Sequence, residues 1–431
     1  MSNNNGVRTE FVTGPAGSGK SFMFKSRIAD DPGCAVLCAT TGVAAVNLDT
    51  VTINSVLSYF DTDSLIDKYV RGHVHRKLRA LAQPDRVRDI VIDEVSMLHA
   101  EQLDTIYKAI HEVNVGDDAH EPLKYPLGLT LTGDACQLPP VKGRWFFTAD
   151  CWPEFASNTT RLTKIYRQTD PAFLAAINHA RAGEGEPAAR GLRQLGAQFS
   201  LATDMNYDGT TIVAKNAEAD RYNSQRLLKI PHPSFALEAV RWGQQSPEWR
   251  NIPDRLILKP TCLVMLLANK KDQVTGQFEY VNGDLAHVVR YEIDAHFYDW
   301  QGEEYTAPGV QVTSLRTNRT FWVERIVREN TTKDEPDPGV PFHFDEENKR
   351  YVIGTVDWFP MRLGYCSTVH KSQGLSLDRV QIDARDGFFG APSMAYVALS
   401  RARTVEGMRI VGDPNLLARR IKLNPEVREW L

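Results

Sequence analysis

Short apolar runs divided by turn-forming residues dominate the chain, and they come in two textures. Phe11-Val12-Thr13, Asp89-Ile90-Val91-Ile92 and Leu129-Thr130-Leu131-Thr132 are brief and rich in bulky residues, as strands covered on both faces should be. The segments between them have room for helices, the first opening at Phe22-Met23-Phe24. This alternation predicts a parallel sheet covered by helices over residues 1–150. Cys151 begins a second α/β stretch, with a helix over Pro171 to Ala182 and a strand at Thr211 to Val213. From Gly283 the texture changes to short β-type runs between turns: His287-Val288-Val289, Val310-Gln311-Val312 and Thr320-Phe321-Trp322-Val323. Thr331 to Arg350 is too charged and proline-rich for a regular helix. The α/β pattern resumes near Met361, and Ser393 to Arg403 should be helical. No short-period repeat is present.

Composition narrows the class without naming a chemistry. A chain of 431 residues can bury two or three cores. Its longest apolar run, Leu263 to Ala268, is too short to cross a bilayer, and Met1 to Glu10 lacks the layout of a signal peptide. Six cysteines without C-x-x-C pairing predict a reduced compartment and no structural zinc. The expectation is a soluble, cytoplasmic protein without a membrane partner. A net charge of −4 argues against a broad basic coat for nucleic acid, yet leaves room for a groove that grips by a few phosphate contacts and base stacking.

The first strand-like run enters Gly14-Pro15-Ala16-Gly17-Ser18-Gly19-Lys20-Ser21, which fits G-x-x-x-x-G-K-[ST] at every fixed position. Glycines let backbone N–H groups surround phosphates, Lys20 can reach the β and γ phosphates, and Ser21 can ligate Mg²⁺. The helix that follows points its positive end at the same place. A second strand ends in Asp93-Glu94, where Asp93 would hold Mg²⁺ and Glu94 would polarise the attacking water. A third runs into Gly133-Asp134-Ala135-Cys136-Gln137-Leu138-Pro139-Pro140-Val141. There Gln137 is either a γ-phosphate sensor or part of a simple turn.

These motifs, with seven further stretches, make the chain resemble a superfamily 1 helicase of the Pif/RecD/Dda branch. The further stretches are Ala39 to Ala45, Thr52-Ile53-Asn54-Ser55, Val95 to Leu98 after the acidic pair, Leu162 to Gln168, Val281-Asn282-Gly283-Asp284, Thr368 to Gly374 and Tyr396 to Arg403. The resemblance implies two RecA-like parallel-sheet domains of the P-loop NTPase class. The first spans 1–150, with a small wedge-like insertion at 56–88. The second spans 151–282 and 360–431, with a small β-barrel-like insertion at 283–359. It implies ATP-dependent 5′→3′ movement on single-stranded DNA, with ATP and Mg²⁺ as cofactors and forked duplex as the substrate. Roles in DNA replication, repair or recombination follow, with single-strand-binding or replication and repair proteins as companions and a monomer as the basic unit.

Catalytic roles fall by the same resemblance on Lys20, Glu94, Gln137, Arg167 and Arg401. Two fixed guanidinium groups would stabilise charge on the transferring phosphoryl group. Gly374, with Gln373 before it, resembles the loop that links nucleotide state to strand grip. Strand contacts fall on Thr40, Thr41, Asn54, Ser55, Asn216, Thr368, His370 and Lys371, whose hydroxyl, amide and basic groups suit a phosphate backbone. The basic stretch Lys68, Arg71, His73, His75, Arg76, Lys77 and Arg79 lies inside the insertion at 56–88, between a solvated helix face and a fork wedge in its reading. Trp145 and Trp152 look like core rather than stacking platforms.

Three departures from the family pattern stand out. Only ten residues precede Phe11, so the helix whose glutamine reads adenine in many relatives is expected to be missing. Asn54 stands where the branch usually has histidine, and Tyr125-Pro126-Leu127-Gly128 is a poor match to the glycine-rich segment typical of the Pif group. Two other functions share parts of the pattern. A DNA-dependent ATPase that remodels or anneals without unwinding would keep every ATP motif. A small-molecule kinase would need neither Thr52 to Ser55, Thr368 to Gly374, nor the paired arginines.

Overall fold

Six parallel strands form the sheet around which the first part of the chain is built. In the computed structural model they are β1 (Thr9–Thr13), β2 (Ala35–Ala39), β3 (Val51–Thr52), β4 (Asp89–Asp93), β5 (Gly128–Gly133) and β6 (Thr159–Arg161), ordered β3-β2-β4-β5-β1-β6. The structure describes all residues except 1–5, 32, 49, 83–86, 118–119, 141, 247–248, 250–251, 269, 272–277, 281–282, 299–302, 333–334, 337 and 347–348. Val141 and Val281-Asn282 of the motifs, the domain boundary at 282, and parts of the 56–88 and 331–350 stretches therefore lie outside the described residues.

β4, β5 and β1 are neighbours, and all six residues of β5 are buried, as the uninterrupted apolar runs require. Because the strands are parallel, the turns after β1, β4 and β5 emerge at one edge of the sheet. That edge is where α/β folds bind ligands. α1 (Lys20–Asp30), α2 (Gly42–Leu48), α3 (Ile53–Leu57), α4 (Thr62–Val70), α5 (His73–Leu81) and α6 (Ala100–Val115) connect these strands.

α7 (Trp152–Ala156) and α8 (Pro171–Arg181) follow β5, flanking β6. Asp170 caps α8 by accepting the N–H groups of Ala172 and Phe173, and Pro171 supplies the fixed φ of a first turn. Trp145 is buried, and Trp152 packs edge-on against Phe11, Phe146 and Trp430. Trp145 is core, as read from the sequence, and Trp152 is half-buried at the edge of the same aromatic cluster.

A second sheet is ordered Cys366–Thr368, Thr210–Val213, Val380–Asp383, Met408–Val411, Gln198–Ser200, and its last three strands pair in parallel. The chain thus has the two RecA-like sheets. It divides into two compact units: residues 1–204, 211–216 and 367–431, and residues 205–210 and 217–366.

The second unit is largely antiparallel, and its strands begin at Phe235, ahead of the change of texture expected at Gly283. One sheet runs Thr320–Glu324, Glu304–Ser314, Leu285–Tyr298, Leu263–Leu266, Met361–Leu363. In another, Arg350–Trp358 lies between Val240–Gly243 and Ile326–Thr332. Alternate residues Val352, Val356 and Trp358 of that central strand are buried, the period of a half-covered sheet. Among the described residues no helix is long and apolar enough to cross a membrane.

Candidate active site

The loop leaving β1 turns sharply because Gly17 and Gly19 adopt φ of 81° and 84°. Gly17 is also fixed by what faces it: a Cβ there would lie 2.5 Å from the Cβ of Arg167. Lys20 is buried, and its ammonium donates to the carbonyls of Gly14 at 2.7 Å and Pro15 at 3.1 Å. Burial pushes its pKa down, against the pull of Asp134, Glu94 and Asp93. Ser21 Oγ donates to Asp93 Oδ2 at 2.6 Å, and Asp93 Oδ1 accepts the Glu94 N–H at 2.9 Å. The hydroxyl and carboxylate that the sequence suggests for Mg²⁺ are therefore in direct contact.

Glu94 sits at φ 53°, a conformation that costs a side-chain-bearing residue on the order of 1–3 kcal/mol. Its carbonyl is held there by the Thr40 hydroxyl at 2.7 Å. Burial raises the carboxyls of both Asp93 and Glu94, and Asp93 raises Glu94 further. Two adjacent acids in that state favour a cation beside them. The opposite imbalance holds for Lys20, Arg401 and Arg167: burial weighs against each positive charge, and Arg401 adds to the effect on Arg167. A polyanion carrying a divalent ion answers both imbalances, so the residues present fit ATP and Mg²⁺.

Gln137 and Gln373 meet here. The Gln373 side-chain amide donates to Gln137 Oε1 at 3.1 Å and lies 3.3 Å from Glu94 Oε2. The Gln137 N–H also donates to the Asp134 carbonyl at 3.0 Å, so the residue closes a turn while its side chain meets Gln373. Gly374 follows with φ 81°.

The arginines are arranged less symmetrically. Arg167 lies against Gly17 and donates to the Ser400 carbonyl at 3.2 Å. Arg401 is fully buried and turned onto its own segment, donating to Val397 O at 2.8 Å, Ser400 Oγ at 2.8 Å and Leu375 O at 3.3 Å.

The residues suggested for a nucleic-acid strand occupy separate turns. Thr41 accepts the Ala44 N–H, and the Asn54 carbonyl accepts the Tyr59 N–H, leaving the Asn54 side chain partly exposed beside Ser55. Asn216 is exposed at the start of the helix Asn216–Leu228. Thr368 is buried, and its hydroxyl accepts the Lys371 N–H, so it shapes the turn that presents His370 and Lys371. Thr52 caps α3 by the same bond to Ser55 N–H. Burial lowers the pKa of His370, making it a neutral hydrogen-bonding group at pH 7.

Four residues outside the sequence assignment belong to this site. Tyr166 is exposed, with its ring edge 3.4 Å from where a Gly19 Cβ would stand. Asp134, Arg181 and Tyr396 form a buried network behind the phosphate loop. Tyr166, Asp134 and Tyr396 lie inside recognised motifs, so they could have been found. Arg181 carries no sequence signal beyond a basic residue ending a helix.

A family model described as PIF1-like helicase matches residues 1–174. The chain is 28% identical over 416 residues to the ATP-dependent DNA helicase Pif1 of Bdellovibrio bacteriovorus, covering 93% of this chain and 84% of that one. It is 27% identical to human ATP-dependent DNA helicase PIF1, covering 94% of this chain but 58% of that protein, and it spans 60% of the Emericella nidulans PIF1. Among solved structures, Bacteroides Pif1 in complex with ADP-AlF4 is 26% identical with a TM-score of 0.68, covering 96% of this chain and 91% of that one. Bacteroides Pif1 bound to single-stranded DNA is 25% identical with a TM-score of 0.58, covering 95% and 90%.

Proposed function

We infer that the chain, similar to PIF1-like helicases of superfamily 1, is an ATP-driven motor that moves 5′→3′ along single-stranded DNA and separates duplex. The observation that carries this reading is one constellation. Ser21 meets Asp93, Gln373 bridges Glu94 and Gln137, and Arg167 closes on Gly17. A phosphate loop serving a small-molecule kinase has no use for that arrangement. Relatives solved with ADP-AlF4 and with single-stranded DNA support the choice of nucleotide and polymer.

In this reading the loop amides and Lys20 hold the β and γ phosphates of the substrate. Ser21 and Asp93 would hold Mg²⁺, which supplies neutralisation of charge on the β and γ oxygens. Glu94 orients the attacking water, and the Gln373 amide fixes the Glu94 carboxylate. Arg167 is already at the loop. Arg401 would exchange backbone carbonyls for phosphate oxygens, completing the charge stabilisation. The exposed Tyr166 ring beside Gly19 offers a face on which adenine can stack.

Thr40 joins this site to the strand-facing turns, since the residue suggested for DNA contact also holds the Glu94 carbonyl. Asn54, Ser55, Asn216, His370 and Lys371 supply the remaining groups for the strand, and the helices of 56–88 serve as the wedge. A monomeric basic unit, a cytoplasmic setting and replication or repair companions complete the proposal.

The test is ATP hydrolysis with and without single-stranded DNA, beside unwinding of forks carrying only a 5′ or only a 3′ tail. Stimulated hydrolysis and unwinding from the 5′ tail are expected. Unwinding from the 3′ tail alone overturns the polarity. Hydrolysis without strand separation favours a remodelling ATPase, and hydrolysis indifferent to DNA removes the motor.

A further inference from the structure

Tyr396 belongs to the segment that carries Arg401, and its two polar groups face in different directions with different partners. Its hydroxyl accepts the N–H of Ala16, in the phosphate loop, at 3.0 Å and donates to Asp134 Oδ2 at 2.8 Å. Its carbonyl accepts the Ser400 N–H at 2.9 Å. Ser400 in turn holds both arginines: its carbonyl accepts from Arg167 and its hydroxyl from Arg401. A chain of hydrogen bonds thus runs from the phosphate loop through one tyrosine to the anchor of the two guanidinium groups.

The far side of the hydroxyl is fixed just as firmly. Asp134 is fully buried and pairs with Arg181 at 2.9 Å, while Arg181 also donates to the Trp430 carbonyl at 2.9 Å. Burial opposes ionisation of Asp134, yet the Arg181 charge holds its carboxyl below the ordinary range. Burial, then Asp134, keeps the Tyr396 hydroxyl protonated. A protonated hydroxyl beside a carboxylate must donate to it, which leaves its lone pair for Ala16. No other uncharged side chain of this size can accept and donate in that geometry, and phenylalanine would leave two buried groups each short of a partner.

We propose that Tyr396 is a positioning residue that sets the placement of Arg167 and Arg401 against the phosphate loop. It touches no reacting atom. Its effect passes through Ser400 to the guanidinium groups, so it should be felt in turnover rather than in nucleotide affinity. This role rests on the ATPase reading given above.

Tyr396→Phe keeps the ring and removes the hydroxyl. With single-stranded DNA present, kcat for ATP should fall by about tenfold while KM changes by less than about twofold. In an Arg401→Lys background the same change should cost less than about a further twofold, because residues acting through one another are not additive. Unchanged kcat, a loss confined to KM, or two losses that multiply would each overturn the role. If the variant does not fold, amide exchange in the wild-type protein decides. The Ala16 N–H should exchange at least about 100-fold more slowly than an exposed amide, and fast exchange there overturns the tie. Wild-type protein inert towards ATP would instead overturn the motor reading itself, an outcome separate from an active wild type with an equally active Tyr396→Phe.

Discussion

Two acidic residues show how burial decides behaviour at single positions. Glu94 is held in a left-handed conformation, its carboxylate near Gln373 and its carbonyl bonded to Thr40. Glu94→Gln preserves the shape and removes the carboxylate proposed to orient water. That variant should bind ATP as wild type does and hydrolyse it at least about 100-fold more slowly; single-turnover hydrolysis beside fluorescent-nucleotide binding checks it. Near-normal turnover would reassign the base.

Asp89 is different, because no chemistry needs it. It starts β4 with Oδ2 bonded to Thr130 and Oδ1 buried without a partner, and burial pushes its carboxyl up to about 6. A raised carboxyl favours the fold while protonated. Its contribution is full below the unfolded value near 4 and lost as pH rises through about 6. Asp89→Asn should therefore be more stable than wild type at pH 8, by on the order of 1–3 kcal/mol, with the gap closing by pH 4. Thermal unfolding at the two pH values tests this, and parallel curves across the window would refute it.

The meeting of Lys20, Ser21, Asp93 and Glu94 was legible at this scale because they follow strand ends whose position the apolar pattern predicts. Tyr396 bonding to Asp134, 262 residues away, was not. Local spacing carries no information about which distant hydroxyl completes a buried carboxylate.

Elements bear out the pattern of runs while changing the meaning of one of them. The stretch 56–88 reads as a basic run, and the structure makes it chiefly two helices, α4 and α5. A capping box, with Asp61 and Ser64 exchanging bonds, begins α4. Much of the basic charge is used inside the insertion or against its neighbours. Lys68 reaches the Ser58 carbonyl, Arg71 pairs with Asp67, Arg79 donates to Glu121 O, and His75 pairs with Glu112. A sequence can display charge but cannot say which charges are already spoken for.

What this insertion presents outward includes Phe60 and Val70, 58% and 75% exposed, and a wedge needs apolar surface to part base pairs. Replacing both with serine should lower fork unwinding severalfold while DNA-stimulated ATPase stays within about twofold, because exposed positions seldom cost more than about 0.5 kcal/mol of stability. Equal unwinding would place the wedge elsewhere. The two Thr-capped turns, Thr52 to Ser55 and Thr368 to Lys371, make the complementary point. Their shared strand-to-helix geometry was readable only as motif resemblance. The capping role of Thr52 and Thr368 emerges from the N–H each hydroxyl accepts.

At the scale of the whole molecule, electrostatics set limits on how DNA can be held. Net charge is −4, and only His370 and Lys371 among the eight suggested contacts are basic residue types. Lys215, beside Asn216, pairs with Asp386 at 2.8 Å, and burial keeps His370 neutral. Lys371 is the one lysine among the suggested contacts, beside hydroxyls and amides that bind phosphate without displacing many counterions. Affinity for a single strand falls with salt by about 0.7 logarithmic units per phosphate neutralised, for each tenfold rise in salt. A grip using three or four such phosphates therefore predicts a slope no steeper than about −3 for binding to a fluorescent oligonucleotide between 50 and 300 mM salt. A motor that must release its strand at every step gains from that shallow dependence, because each contact broken costs little. A slope beyond about −5 would require a broad basic track. The strand path would then have to be sought away from Asn54, Asn216 and the His370-Lys371 turn.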